Sequence, residues 1–107
     1  MKDISSLKNL PHYPVMLKEV LDTCNPKNGG LFVDCTYGAG GYSNAILSYP
    51  NTQVIALDRD PNIYHYAKKT KRKYENRFFF HNSKFSDLNK FVSKKLEVDC
   101  IIFDLGL

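Results

Sequence analysis

Asp34, Asp58 and Asp104 each close an apolar run, and Gly38, Gly40 and Gly41 follow the first of them within the stretch VDCTYGAGGYS, 33–43. Glycine weakens regular structure, so three within four residues mark a turn whose φ angles or close contacts exclude a Cβ. Asp58 follows Gly38 by 20 residues, about the offset at which an acidic side chain accepts hydrogen bonds from the hydroxyls of a ribose. Its negative charge argues against a 2′-phosphate, and so against NADP. The dinucleotide fingerprint G-x-G-x-x-G would need Gly or Ala at position 43, where Ser43 stands. The phosphate-cradling pattern G-x-x-x-x-G-K-[ST] is not in the sequence. A ligand with an adenosine but no pyrophosphate fits these residues best, and S-adenosylmethionine is such a ligand.

The elements that must position these residues follow from hydrophobic patterning. LFVDCT (31–36), QVIALD (53–58), RFFFH (77–81) and DCIIFD (99–104) read as strands. Between them lie helical segments. PVMLKEVLDTC places Leu17, Val20, Leu21 and Cys24 on one face, and SNAILSY follows the glycines. Asp60 reads as an N-cap with Pro61 at the first helical position, followed by a stripe of Ile63, Ala67, Thr70 and Tyr74. Phe85, Leu88, Val92 and Leu96 mark the face of a further helix. Strands alternating with helices predict βαβ units and a parallel sheet buried on both faces. Ligands of such sheets sit beyond the carboxyl ends of the strands, which is where the three aspartates fall.

Composition bounds the rest. At 107 residues, 43% hydrophobic and 24% charged, the chain has room for one domain at most. No apolar run approaches the roughly 18 residues of a membrane span, and the N-terminus lacks the apolar core of a secretory signal, so a cytoplasmic location is expected. Cysteines 24, 35 and 100 have no C-x-x-C spacing or clustered histidines. They read as small buried hydrophobes of a reducing compartment, not as a metal site or a disulfide. Residues 1–67 carry five Lys/Arg and six Asp/Glu, whereas 68–107 carry ten and five, which gives the net +4. Much of that excess is KKTKRKYENR, 68–77, which suits a solvated helix end better than a phosphate-contacting patch when taken alone.

HYPVM, VDCTYGAGGYS, ALDRDP, NSKFSDL and DLG, in this order and spacing, resemble the bacterial ribosomal RNA small subunit methyltransferase H family (RsmH, also MraW). The resemblance runs from about His12 to the last residue. It implies the N-terminal part of a Rossmann-like class I methyltransferase domain over 1–107, an α/β fold with strand order 3-2-1-4. It also implies S-adenosylmethionine-dependent methylation of N4 of a cytidine in the decoding region of 16S rRNA, with the small ribosomal subunit as partner. Cofactor contacts are implied at Gly40, Gly41 and Tyr42 in the turn, Asp58 at the ribose, Phe85 beside the adenine and Asp104 at the end of strand four. From the residues alone, Phe85 would instead be core, because it continues an apolar helical stripe.

Two features depart from the family. Tyr42 stands where the family usually has His, which a main-chain contact would survive. The chain also stops at DLGL, where the family continues, so a truncated enzyme that is inactive alone is expected. No catalytic base is assigned. Asp34 suits either the methionine ammonium or a structural role, and His12 reads as a helix-entry loop residue. Two rival classes share some of these features: an NAD-dependent oxidoreductase and a non-catalytic RNA-binding domain. The first would bind NAD, and the second would bind RNA with steep salt dependence and no cofactor.

Overall fold

The computed structural model describes residues 17–90 and 97–102. Four parallel strands, β1 (Gly30–Asp34), β2 (Thr52–Leu57), β3 (Phe78–His81) and β4 (Cys100–Ile102), form one sheet in the order β3-β2-β1-β4. The helices are α1 (Leu17–Cys24), α2 (Gly41–Leu47) and α3 (Tyr64–Lys73). The expected α/β architecture and strand order are both present.

Alternation along each strand divides the apolar residues between two cores. Phe32, Val54, Ala56, Phe78 and Ile102 point to the face covered by α2 and α3, where they meet Tyr42, Ile46, Leu47, Ile63 and Ala67. Val33, Cys35, Ile55 and Leu57 point to the opposite face, against Leu31, Leu88 and Val98. The two central strands, β1 and β2, are buried on both faces and so are apolar without a polar alternation, whereas the edge strands expose Phe79 and Ile101. Each fully buried side chain of this size contributes about 1.5–3 kcal/mol through burial.

α3 is preceded by a 3-10 turn, Pro61–Ile63, and the Asp60 side chain accepts a hydrogen bond from the Asn62 N–H at 2.9 Å, as the N-cap reading requires. The segment expected to form a helix from Phe85 begins as a 3-10 turn, Phe85–Lys90, and 91–96 lie outside the described residues. The spacing of Phe85 and Leu88 by three suits this tighter winding as well as an α-helix.

The reading of all three cysteines as separate thiols is corrected. Cys24 at the end of α1 and Cys100 in β4 have Cα atoms 5.7 Å apart and are joined by a disulfide, whereas Cys35 is free and buried. Their separation of 76 residues hid the pair. Register explains it: Cys100 pairs with Phe32 and so shares the strand face on which α1 packs.

Arg77 is also more than part of a basic run. Its guanidinium donates to the carbonyls of Leu47 (2.6 Å), Tyr49 (2.7 Å) and Thr52 (2.8 Å), and to Thr52 Oγ1 at 2.9 Å. A cation at the C-terminal end of α2 satisfies carbonyls that have no partner within the helix.

Candidate functional site

The turn between β1 and α2 is fixed by hydrogen bonds from several directions. Gly38 and Gly40 have φ of 58° and 91°, the left-handed region that glycine enters without strain. The Gly38 N–H donates to Asp58 Oδ2 at 2.8 Å, and the Asp60 N–H donates to Asp58 Oδ1 at 2.9 Å. Asp58 therefore braces the glycine turn across the strand ends. The carbonyl of Gly40 accepts from the Asn44 N–H and from Asn44 Nδ2, both at 2.8 Å. The side-chain amide of Asn44 reaches on to Thr70 of α3, whose hydroxyl is bonded to the buried phenol of Tyr37.

A Cβ on Gly40 would meet Asn44 Nδ2 at 2.5 Å and Tyr37 Oη at 2.6 Å. The glycine is thus required by the protein behind the turn. Tyr37, at 2% exposure, went unnoticed in the sequence, although it lies inside the motif. Its ring packs on Phe78 and Phe80, and burial pushes its phenol above the ordinary tyrosine range. The available signal was an aromatic residue between two turn residues, Thr36 and Gly38.

Asp34 and Ser43 resolve two sequence puzzles together. Asp34 lies on the helix face of β1 and is fully buried, and the Ser43 hydroxyl, also fully buried, donates to its Oδ2 at 2.8 Å. Asp34 Oδ1 accepts from the Thr36 N–H at 3.2 Å. Of the two roles open to Asp34, the structural one is what its position supports. Ser43, the residue that breaks the dinucleotide fingerprint, is the partner of that carboxylate.

Beyond the strand ends lies a crevice of about 400 Å³. Cys35 and Thr36 after β1, Asp58 and Arg59 after β2, and Ser83 and Lys84 after β3 line it. The Asn82 side chain donates to the Asp58 carbonyl at 2.8 Å and closes the β3 side. The Cys35 thiol is raised to about 11 by burial and secondarily by the nearby Asp34 carboxylate, so it stays protonated at neutral pH.

Of the expected site residues, Asp58 lines the crevice and is bonded to the turn through the Gly38 N–H, whereas Gly40, which precedes α2, and Gly41, which opens it, are not among the residues lining the crevice. Tyr42 is in the first turn of α2, but the residue is only 5% exposed and its ring belongs to the core. Phe85 opens the 3-10 turn after β3, and its side chain lies outside the described part of the structure. Asp104 and His12 also lie outside the described residues.

A parallel sheet in the order 3-2-1-4, with a glycine turn after β1 and a carboxylate after β2, defines a Rossmann-like fold. An rRNA methylase from Streptococcus thermophilus shares that fold, with a TM-score of 0.62 at 21% identity over 85% of this chain and 51% of that one. The TYW2 of Pyrococcus horikoshii, solved in complex with MeSAdo, has a TM-score of 0.57 at 25% identity, covering 74% of this chain and 31% of that one.

The chain belongs to the MraW methylase family, whose model matches residues 9–107. Among curated relatives, the ribosomal RNA small subunit methyltransferase H of Rickettsia akari is 47% identical over 96 residues, which are 90% of this chain and 31% of that protein. The chain thus spans about a third of the length of the curated relatives it matches.

Proposed function

We propose that the strand-end crevice binds S-adenosylmethionine and that the chain supplies the cofactor-binding part of a methyltransferase acting on 16S rRNA of the small ribosomal subunit, at N4 of a cytidine in the decoding region. The observation that carries the cofactor reading is Asp58. Each of its oxygens accepts one main-chain N–H, from Gly38 and from Asp60. A carboxylate oxygen has about two acceptor directions, so one on each oxygen remains for the two hydroxyls of a ribose. A volume of about 400 Å³ suits a nucleoside-sized ligand. The buried Ser43–Asp34 bond takes the place where a dinucleotide fold needs its third small residue, which favours this ligand over NAD. Family membership and the relatives named for rRNA methylation support the substrate.

When bound, the cofactor supplies a methyl group already activated by its sulfonium. The contribution of this chain is then to hold the ribose through Asp58, to present main-chain groups at Gly40, Gly41 and Tyr42, and to fix the direction of approach. Phe85 is proposed to stack beside the adenine, and Asp104 to close the crevice from the end of β4.

Calorimetry of the full chain tests this reading. S-adenosylmethionine should bind and NAD should not. Asp58→Ala should lower cofactor affinity at least tenfold, because hydrogen bonds to a charged acceptor are worth about 1.5–3 kcal/mol each. Undiminished affinity in Asp58→Ala would overturn the ribose assignment.

A further inference from the structure

A second concavity, larger than the crevice and about 730 Å³, lies along the outer edge of the sheet between α3 and β3. Its cations are Lys68, Lys71 and Arg72, its aromatic residues include Tyr64 and Phe79, and Glu75 is its carboxylate. α3 carries five cations and no acid over YHYAKKTKRK. Among the described residues no carboxylate pairs with Lys68 or Arg72.

Tyr64 and Phe79 are 54% and 41% exposed, which is unusual for rings beside a well-packed core. Lys68 lies 5.0 Å from the centre of the Tyr64 ring, and Lys71 lies 5.0 Å from that of Phe79, so charge and ring face alternate along the groove. Lys71 also donates to the carbonyl of Phe78 at 2.8 Å and to that of Glu75. It thereby occupies an acceptor on the open edge of β3, which disfavours pairing with a peptide strand. His81, at one end of the groove, accepts from the Asp58 N–H through its carbonyl at 3.2 Å. The groove therefore starts beside the crevice and runs away from it along α3.

We propose that this groove binds single-stranded RNA next to the methylation site, with Lys68 and Arg72 on phosphates and the rings of Tyr64 and Phe79 stacked on bases. The inference deepens the reading of the chain as part of an rRNA methyltransferase and rests on it. Unpaired cations interleaved with exposed aromatic side chains are the chemistry that single-stranded nucleic acid requires, whereas a groove for an apolar peptide would not need the charge.

Fluorescence anisotropy with a labelled single-stranded oligoribonucleotide, across a salt series on the full chain, tests it. The double variant Lys68→Glu/Arg72→Glu should lose at least tenfold in affinity, and its salt slope should fall by about 1.4 if two phosphate contacts disappear. Phe79→Ala should lose at least fivefold with an unchanged slope, the mark of a lost stacking partner. Tyr64→Ala repeats that measurement at a second ring should Phe79→Ala fold poorly. Calorimetry with S-adenosylmethionine on the same variants should show wild-type affinity. RNA affinity unchanged in both the charge-reversal and the ring variants overturns the proposal, as it would if the groove held an acidic protein segment. Wild-type protein that binds the RNA in this way but gives no heat with S-adenosylmethionine would instead remove the cofactor reading alone.

Discussion

The crevice at the strand ends and the groove along α3 are neighbours built on opposite plans. At the crevice, the polar groups are held from behind: Asp58 by two N–H groups, and the adjoining glycine turn by Asn44 and by the wall that Tyr37 makes. In the groove, Lys68 and Arg72 stand in solvent on the open side of α3 without carboxylate partners among the described residues. A fixed arrangement of this kind recognises one ligand shape, because little order remains to be lost on binding. A row of solvated cations beside exposed rings would suit a class of polymer, with an affinity that falls as salt rises. Substitutions should therefore separate the two regions by their effect on the fold.

The sharpest break is Gly40→Val. A β-branched residue at φ 91° is strained, and its Cβ would collide with Tyr37 and Asn44. Denaturant unfolding should show a loss of about 3 kcal/mol or more, with cofactor binding abolished. The collision is with the protein itself, behind the turn.

Ser43→Ala should come next. It leaves the buried Asp34 carboxylate without one donor, and a loss of about 1.5–3 kcal/mol is expected in thermal or chemical unfolding. If stability is unchanged, the Asp34–Ser43 pair does not hold the turn. The smallest effect should be that of Arg72→Ala, which removes an exposed cation of the groove and should alter stability by no more than about 0.5 kcal/mol. A large loss there would mean that the groove is as much a structural element as the turn.

What was legible in the sequence was whatever repeats locally. The apolar runs around Phe32, Val54, Phe78 and Ile102 announced four strands, and Asp60-Pro61 announced the entry to α3. The glycine turn and Asp58 were legible because a positive φ and a carboxylate at a strand end restrict residue choice sharply. What the sequence hid depends on contacts across long separations. Tyr37 finds Thr70 only once α3 has docked, Cys24 finds Cys100 only once β4 has taken its place beside β1, and Arg77 reaches Leu47 through the pairing of β2 with β3. Tyr42 is a different case, since its place in the motif says nothing of which way its ring turns, and the first turn of α2 directs it into the core.

Arg77 also bears on how the molecule breathes. One guanidinium gathers the end of α2, the start of β2 and the residue that leads into β3, all at the end of the sheet away from the strand-end crevice. Segments tied through a shared partner open together, as one cooperative unit. Amide hydrogen exchange should accordingly report a common opening free energy for the α2 end and the β2 and β3 starts. At the far ends of the strands Asp58 ties the glycine turn to the residues after β2 in the same manner, so that end of the sheet should open as a second unit with its own free energy.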